Sequence, residues 1–121
     1  MKTMQLLQGV KFGAQEPHAE PLYVDKDGRA LLFALKPGQT IKEHNAPNSP
    51  FYVVVLQGRG MFAGGDGTEQ ALGASTLLVF DPQENHTIRA LDEELVFIGF
   101  LRGAPGNVSE KKGGRLGRKT K

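Results

Sequence analysis

An all-β fold made of about eight short antiparallel strands is the fold class that this sequence predicts. The chain has 121 residues, and its 16 glycines and 7 prolines divide it into short segments. The apolar runs between these segments are brief and rich in valine, isoleucine and phenylalanine, which is typical of strands rather than helices. Turn residues recur about every 8 to 12 residues, the spacing of a sandwich or barrel. A chain of this length has room for one domain.

The first half of the chain contains a hairpin followed by two further strands. In "YVDKDGRALLFALKPG", Asp27-Gly28 has the composition of a tight turn, and residues 30–36 form an apolar strand that ends at a Pro-Gly pair. Residues 40–46 are predicted to be the next strand, before a loop at "PNSP". Residues 51–56 are apolar at consecutive positions, so we expect this strand to be covered on both faces.

The second half continues with strands joined by polar turns. A strand begins at residues 61–63, and "GGDGTE" is predicted to be a hairpin tip. It is not a phosphate-binding loop, because neither a Gly-Lys-Ser/Thr triplet nor a helix follows it. Residues 75–80 form a strand before the turn "DPQEN", residues 86–90 alternate as a half-buried strand should, and "LVFIGFLRG" is the last strand.

Charge is distributed unevenly along the chain. Residues 1–101 contain 8 Lys/Arg and 12 Asp/Glu, whereas residues 102–121 contain 7 Lys/Arg and one acidic residue. We therefore predict one domain over residues 1–103 and a basic, flexible tail over residues 104–121. The tail lacks interleaved aromatic residues and no helix-turn-helix follows the domain, which argues against nucleic acid as a partner.

The expected location is cytoplasmic. The chain has no cysteine, so disulfides and thiolate zinc sites are excluded and a reducing compartment is permitted. The N-terminal segment has no apolar stretch long enough for a signal peptide, and no segment approaches the roughly 20 apolar residues of a membrane span. A membrane is therefore not an expected partner.

Two stretches carry a family resemblance. In "PGQTIKEHNAPNSPFYVVVLQG", five residues separate Gly38 from His44, and Ala46, Phe51 and Gly58 follow at set intervals. This spacing resembles the first conserved motif of the cupin family, and "GASTLLVFDPQENHTIRAL" resembles the second. Together they cover residues 37–91. The resemblance implies a double-stranded β-helix, which is the cupin jelly-roll barrel.

The resemblance also implies a metal site, of which this chain keeps two positions. Metal-binding cupins usually supply two histidines and a glutamate from the first motif and a histidine from the second. Here His44 and His86 occupy ligand positions, whereas Ala46 and Phe51 stand where the other histidine and the glutamate are expected. Alternation along a strand extending to residue 46 would put Ala46 on the same face as His44, and alanine has no donor atom.

Two imidazoles alone are too few for tight metal binding, because three or four protein ligands are usual. Other donors in reach of this part of the sequence are Asn48, Tyr52 and Gln83. His18 lies in a proline-flanked segment that we expect to be irregular and at the surface, although a segment folded over the barrel mouth would make it a third ligand.

Two functions therefore stay open from the sequence. In the first, the protein binds a small molecule in a barrel pocket lined by His44, Phe51 and His86. In the alternative, it is a metal-dependent enzyme, an oxygenase or isomerase, in which His44 and His86 bind one divalent transition metal ion (Zn, Fe, Mn or Ni). The fold alone decides neither, because cupins catalyse several reactions or none.

The last strand predicts a second copy of the chain as a partner. In "LVFIGFL" both alternating faces are apolar, so one faces the core and the other needs a cover. Small cupins commonly pair through sheet edges, and a homodimer is expected on both grounds.

Overall fold

The structure, a computed structural model, describes residues 1–44 and 46–103, apart from the side chains of residues 43 and 44. The predicted tail, residues 104–121, lies outside the described residues. Within this part of the chain there are nine strands, which confirms the all-β prediction. They are β1 (His18–Asp25), β2 (Gly28–Leu35), β3 (Thr40–His44), β4 (Phe51–Gln57), β5 (Arg59–Ala63), β6 (Glu69–Gly73), β7 (Leu77–Phe80), β8 (His86–Ala90) and β9 (Leu95–Arg102).

The strands form two sheets, and every strand pair is antiparallel. Sheet A has five strands in the order β1-β2-β9-β4-β7, and sheet B has four in the order β3-β8-β5-β6. The last strand, β9, therefore lies in the middle of sheet A, between β2 and β4. After β2 the chain alternates between the two sheets, except that β5 and β6 form a hairpin within sheet B, and this gives the jelly-roll connectivity.

Tight turns hold the strand ends in register. At the β1–β2 turn the carboxylate of Asp25 accepts hydrogen bonds from the backbone N–H groups of Asp27 (2.8 Å) and Gly28 (3.0 Å). Between β4 and β5, Gly58 has a φ of +82°, and a Cβ there would overlap the carbonyl oxygen of Glu94. Only glycine combines this conformation with so close an approach.

The core lies between the two sheets and is unusually aromatic. Its buried apolar side chains come from alternate positions of both sheets: Phe33, Leu35, Phe51, Val53, Val55, Phe62, Phe80, Ile88, Ala90, Leu95 and Phe97. A second cluster lies on the opposite, outer face of sheet A, where Val10 and Phe12 of the N-terminal segment pack near Leu32, Ala34 and Val96. The N-terminal segment therefore covers part of this outer face.

Two sequence-based expectations about strand limits are wrong. His18 does not lie in an irregular segment but begins β1, where its Cα partner is Ala34. Pro21 is tolerated within this strand because β1 is at the edge of sheet A, and the register shifts just after it. The predicted strand over residues 40–46 ends at His44, so Ala46 does not continue its alternation.

The part of the chain that the structure describes contains no helix long and apolar enough to cross a membrane.

Candidate functional site

His86 is a deeply buried polar side chain at the centre of the predicted site. It begins β8, and only 2% of it is exposed. Its imidazole ring stacks on Phe80, with ring centroids 4.3 Å apart and an interplanar angle of 21°. Phe51 stacks beside it at 5.3 Å and 24°. Two phenylalanine rings therefore fix the orientation of the imidazole ring.

The strand pairing brings these three rings together from different sheets. Phe51 in β4 and Phe80 in β7 are Cα partners in sheet A, and their ring centroids are 6.3 Å apart. Both lie at core-facing positions of their strands. The turn after β7 then crosses to sheet B, so that His86 begins the next strand directly above the two rings. The sequence-based grouping of Phe51 with His86 agrees with this geometry, whereas Phe80 was missed.

The ring of Phe51 packs closely against the backbone of Gly99 in β9. A Cβ at position 99 would overlap Cε1 of the Phe51 ring and would lie 2.7 Å from its Cζ and 3.2 Å from Cε1 of Phe33. Phe33 also meets Phe51 edge-on, with centroids 5.9 Å apart and an angle of 75°. The position where the family resemblance implies a carboxylate is therefore occupied by an aromatic ring that cannot easily move.

The backbone of His44 lies opposite that of His86. β3 ends at His44, and its Cα partner in β8 is His86, after a register irregularity between Ile41 and His44. The two predicted site histidines are therefore at paired positions of sheet B. Beyond the end of β3, the carbonyl oxygen of Ala46 accepts a hydrogen bond from the backbone N–H of Gln83 (3.0 Å). This bond ties the β3–β4 loop to the turn that precedes His86.

The side chains described around His86 do not fit a typical metal site. Phe51 has no donor atom, and Ala46 has only its backbone. Tyr52 lies on the opposite face of β4 from Phe51, and Asn48 and Gln83 are exposed in loops. Within the described residues there is no group of three or more histidine, cysteine or acidic side chains that could hold a metal ion.

His18 lies in a different environment. It is in the edge strand of sheet A, and its Nε2 atom is 3.2 Å from Oε1 of Glu20. Its side chain is 37% exposed, in agreement with the surface position expected from the sequence. The contact that the structure gives it is with a half-buried neighbour on the same strand rather than with a residue of the histidine site.

A groove of about 390 Å³ runs between the edge strands β6 and β7. Its apolar wall includes Phe62 and Phe80, and its polar residues are Asp66, Thr68, Gln70, Thr76 and Glu84. This volume is within the range of about 300–1,000 Å³ seen for small-molecule sites. Phe80 belongs both to the groove and to the ring stack on His86, so the groove and the histidine are separated by one aromatic ring. The sequence analysis did not find this groove, because it depends on which strands form the sheet edges.

Glu84 lines the groove and links two of the turns beside it. Its carboxylate accepts hydrogen bonds from the backbone N–H groups of Gly65 and Asp81, both at 2.8 Å. A Cβ at Gly64 would overlap Oε2 of this carboxylate. The β5–β6 hairpin and the β7–β8 turn are therefore joined through one side chain, which holds the turn before His86 in place.

A comparison with protein families matches residues 31–99 to the model described as the cupin domain. This range includes both motifs quoted above and all strands from the body of β2 to the middle of β9. It spans more than half of the 121 residues.

Solved structures of small double-stranded β-helix proteins are similar to this chain along most of its length. An uncharacterized conserved protein with this domain from Klebsiella pneumoniae has a TM-score of 0.81 and 18% identity, over 88% of this chain and 94% of that chain. An RmlC-like cupin from Desulfovibrio desulfuricans has a TM-score of 0.74 and 26% identity, over 84% and 96%. A cupin 2 conserved barrel domain protein from Leptotrichia buccalis has a TM-score of 0.73 and 19% identity, over 82% and 47%. No curated protein sequence matches the chain.

Proposed function

This chain belongs to the cupin domain family, and we propose that it is a small-molecule-binding cupin whose ligand is held beside His86 in the barrel. The observation that carries the proposal is the buried imidazole stacked on Phe51 and Phe80. A ligand site of this kind is mostly apolar with a few well-placed polar groups. His44, whose backbone is paired with that of His86, is the second polar residue of the proposed pocket.

The ring stack defines the class of ligand. Stacking uses the faces of an imidazole, whereas its two nitrogens, one donor and one acceptor in the neutral form, lie at the ring edge. The surrounding phenylalanine rings favour a flat or apolar body. The proposed ligand is therefore small and mostly apolar, with one group that exchanges a hydrogen bond with imidazole.

The groove between β6 and β7 supplies the approach to this pocket. Phe80 lines the groove and stacks on His86, so a change in the rotamer of this one ring would open the groove towards His86. Exposed polar residues along the groove, such as Thr68 and Gln70, would contact the polar end of a ligand as it enters.

Binding of simple probes tests the proposal. Phenol and benzamide each combine a flat ring with one hydrogen-bonding group, and toluene is the matched probe without that group. We expect phenol or benzamide to shift the NMR resonances of His86 and Phe80 at millimolar concentration, and toluene to bind more weakly. His86→Phe should weaken the binding at least about tenfold, since a hydrogen bond of about 1.4 kcal/mol corresponds to that factor. His18→Ala is the control and should bind as the wild type does.

Two results would contradict the proposal. The first is a set of probe-induced shifts confined to residues outside the ring stack and the groove. The second is a folded His86→Phe variant that binds phenol or benzamide as tightly as the wild type.

A metal-dependent enzyme, an oxygenase or isomerase, is the second candidate function. The observation that favours it is the pairing of His44 with His86 across β3 and β8. A bound transition metal would supply Lewis-acid or redox chemistry there. Elemental analysis of protein purified without a metal-affinity tag or chelator separates the candidates. About one equivalent of Zn, Fe, Mn or Ni, lost in both His44→Ala and His86→Ala but kept in His18→Ala, would support the enzyme and count against the first proposal.

A further inference from the structure

Arg29 is a charged residue on the core-facing side of sheet A. Alternation along β2 puts it on the same face as Leu31 and Phe33, which pack in the core between the two sheets. The pairing of β2 with β9 runs without a bulge from Leu35 to Gly28, so the alternation holds to the start of the strand. Arg29 is half-buried, and its Nε atom is shielded from solvent. The side chain therefore lies at the rim of the barrel interior.

The strand register places Arg29 at the same end of the barrel as the stacked rings of the candidate site. Its Cα partner is Leu101 in β9, and the other neighbour of β9 in sheet A is β4. Phe51 begins β4 at this end of β9, because the next residue, Tyr52, is the Cα partner of Phe100. Arg29, Leu101 and Phe51 therefore follow one another across three adjacent strands on the core-facing side.

The charge of Arg29 stands alone on this face of the sheet. The strands β2, β9, β4 and β7 are all described in full, and their charged residues are Arg29 and Arg102. Arg102 directly follows Leu101 and so belongs to the opposite face. Arg29 is thus the charged residue that these four strands present to the interior. A cation among apolar side chains is stabilised most by a hydrogen-bonded negative charge.

The chemistry of arginine indicates which group of a ligand it would bind. The guanidinium group stays protonated at neutral pH, and its five N–H donors can hold a ligand in addition to a contact within the protein. Its planar fork matches the two oxygens of a carboxylate. The imidazole of His86, by contrast, forms single hydrogen bonds at its ring edge.

We propose that Arg29 binds the carboxylate of the ligand and makes the pocket selective for small, flat or apolar carboxylic acids in their ionised form. This inference rests on the function proposed above, to which it adds the charge of the ligand. Neighbouring strands are about 4.8 Å apart, so β2 and β4 are separated by about 10 Å. A ring that packs near Phe51 can therefore direct a carboxylate toward Arg29 across the apolar side chain of Leu101.

A phosphate ester is less well matched to this arrangement. Its phosphate group carries nearly two negative charges at neutral pH. Placing them beside Leu101 and Phe51 costs more than placing the single charge of a carboxylate there.

Two probes of nearly equal shape test the charge preference. Benzoate and benzamide differ by one carboxylate oxygen that is replaced by an amide NH₂ group, so the ring and its stacking are the same. We expect benzoate to bind the full chain at pH 7 at least about fivefold more tightly than benzamide, because charge-assisted hydrogen bonds are roughly twice as strong as neutral ones. NMR titration of the wild type measures both affinities.

Substitution of Arg29 tests whether this side chain supplies the preference. Arg29→Gln removes the charge and should abolish the preference, with the larger loss in the affinity for benzoate. Arg29→Lys keeps the charge without the planar fork and should retain part of the preference. Arg89→Gln is the matched control, because Arg89 is an exposed strand arginine on the outward side of β8, and it should bind both probes as the wild type does. Circular dichroism verifies that each variant is folded.

Three outcomes would overturn this inference and leave the proposed function standing. One is binding of benzamide beside His86 as tightly as benzoate. Another is a folded Arg29→Gln variant that keeps the preference for benzoate. The third is tighter binding of phenyl phosphate than of benzoate, which would assign the pocket to phosphate esters. If neither benzoate nor benzamide binds near the ring stack, the proposed function is refuted and this inference with it.

Discussion

Gly99 is the position at which the ring stack around His86 is most sensitive to a single methyl group. Gly99→Ala places a Cβ in the space of the Phe51 ring and within 3.2 Å of Phe33. Neither ring can retreat, because both are about 95% buried in the core. Phe51 also stacks on Phe80 and His86.

The expected loss of stability follows from two opposing effects. Overpacking a well-packed core costs about 1–3 kcal/mol, and replacing a strand glycine by alanine returns about 0.5–1 kcal/mol through backbone entropy. We expect a net loss of about 1 kcal/mol in the free energy of unfolding, or a fall of roughly 4 °C in Tm. Because Phe51 contacts His86, the resonances of the imidazole ring should shift as well.

Urea denaturation with a double-mutant cycle measures this effect. Phe51→Leu removes the atoms that the new Cβ would meet, so Gly99→Ala should cost less in that background by at least about 1 kcal/mol. Gly73→Ala is the matched control, because a Cβ there meets only the side chain of Arg59 and the backbone of Gly58, at 3.2 Å or more. Unchanged stability in Gly99→Ala, or additive effects in the double variant, would refute the overlap argument.

Three further predictions concern the loops that position the site. Glu84→Ala removes the acceptor of the Gly65 N–H, and we expect a loss of about 1 kcal/mol and faster amide exchange at Gly65; unchanged exchange would contradict this. Ser49→Ala removes the buried hydroxyl that accepts the Arg102 N–H at 2.8 Å, and denaturation should show a loss of about 1–3 kcal/mol, whereas wild-type stability would argue against a structural role for this bond. Gly58→Ala should give mostly unfolded protein by circular dichroism, because both φ and space exclude a Cβ, and a folded variant would show that the β4–β5 turn can relax.

Local composition predicts most of the strands, and tertiary context decides where they end. The β1–β2 hairpin and the glycine-rich hairpin tip were predicted because their residue types favour turn conformations, but the prediction of the first turn at Asp27-Gly28 is wrong by one residue: the turn is formed by Lys26 and Asp27, and Gly28 begins β2. The start of β1 at His18 was missed because Pro21 suggested irregular structure, and only the position of β1 at a sheet edge makes that proline acceptable. Whether a strand lies at the edge of a sheet depends on the order of all its strands and cannot be read from the local sequence.

The candidate site was predictable only in part. The motif spacing grouped Phe51 with His86, and the structure stacks their rings. The roles of Phe80 and Gly99 depend on the register of β4 with β7 and β9, which no local pattern determines. A signal for Gly99 was nevertheless present, since a glycine inside an apolar strand often marks a close approach. The pairing of His44 with His86 likewise became visible only with the register of β3 and β8.

The central position of β9 has a consequence for synthesis of the chain. Ribosomes make proteins from the N-terminus, so β2 is complete long before its neighbour β9, which begins at Leu95. Until β9 is made, nothing fills the position between β2 and β4 in sheet A. The apolar side chains of the β1–β2 hairpin are then exposed and can form non-native contacts. The pairing of β9 with β2 and β4 therefore forms late. Pairings between residues far apart in the sequence form slowly. Chaperone demand during translation should therefore end only when β9 has been made.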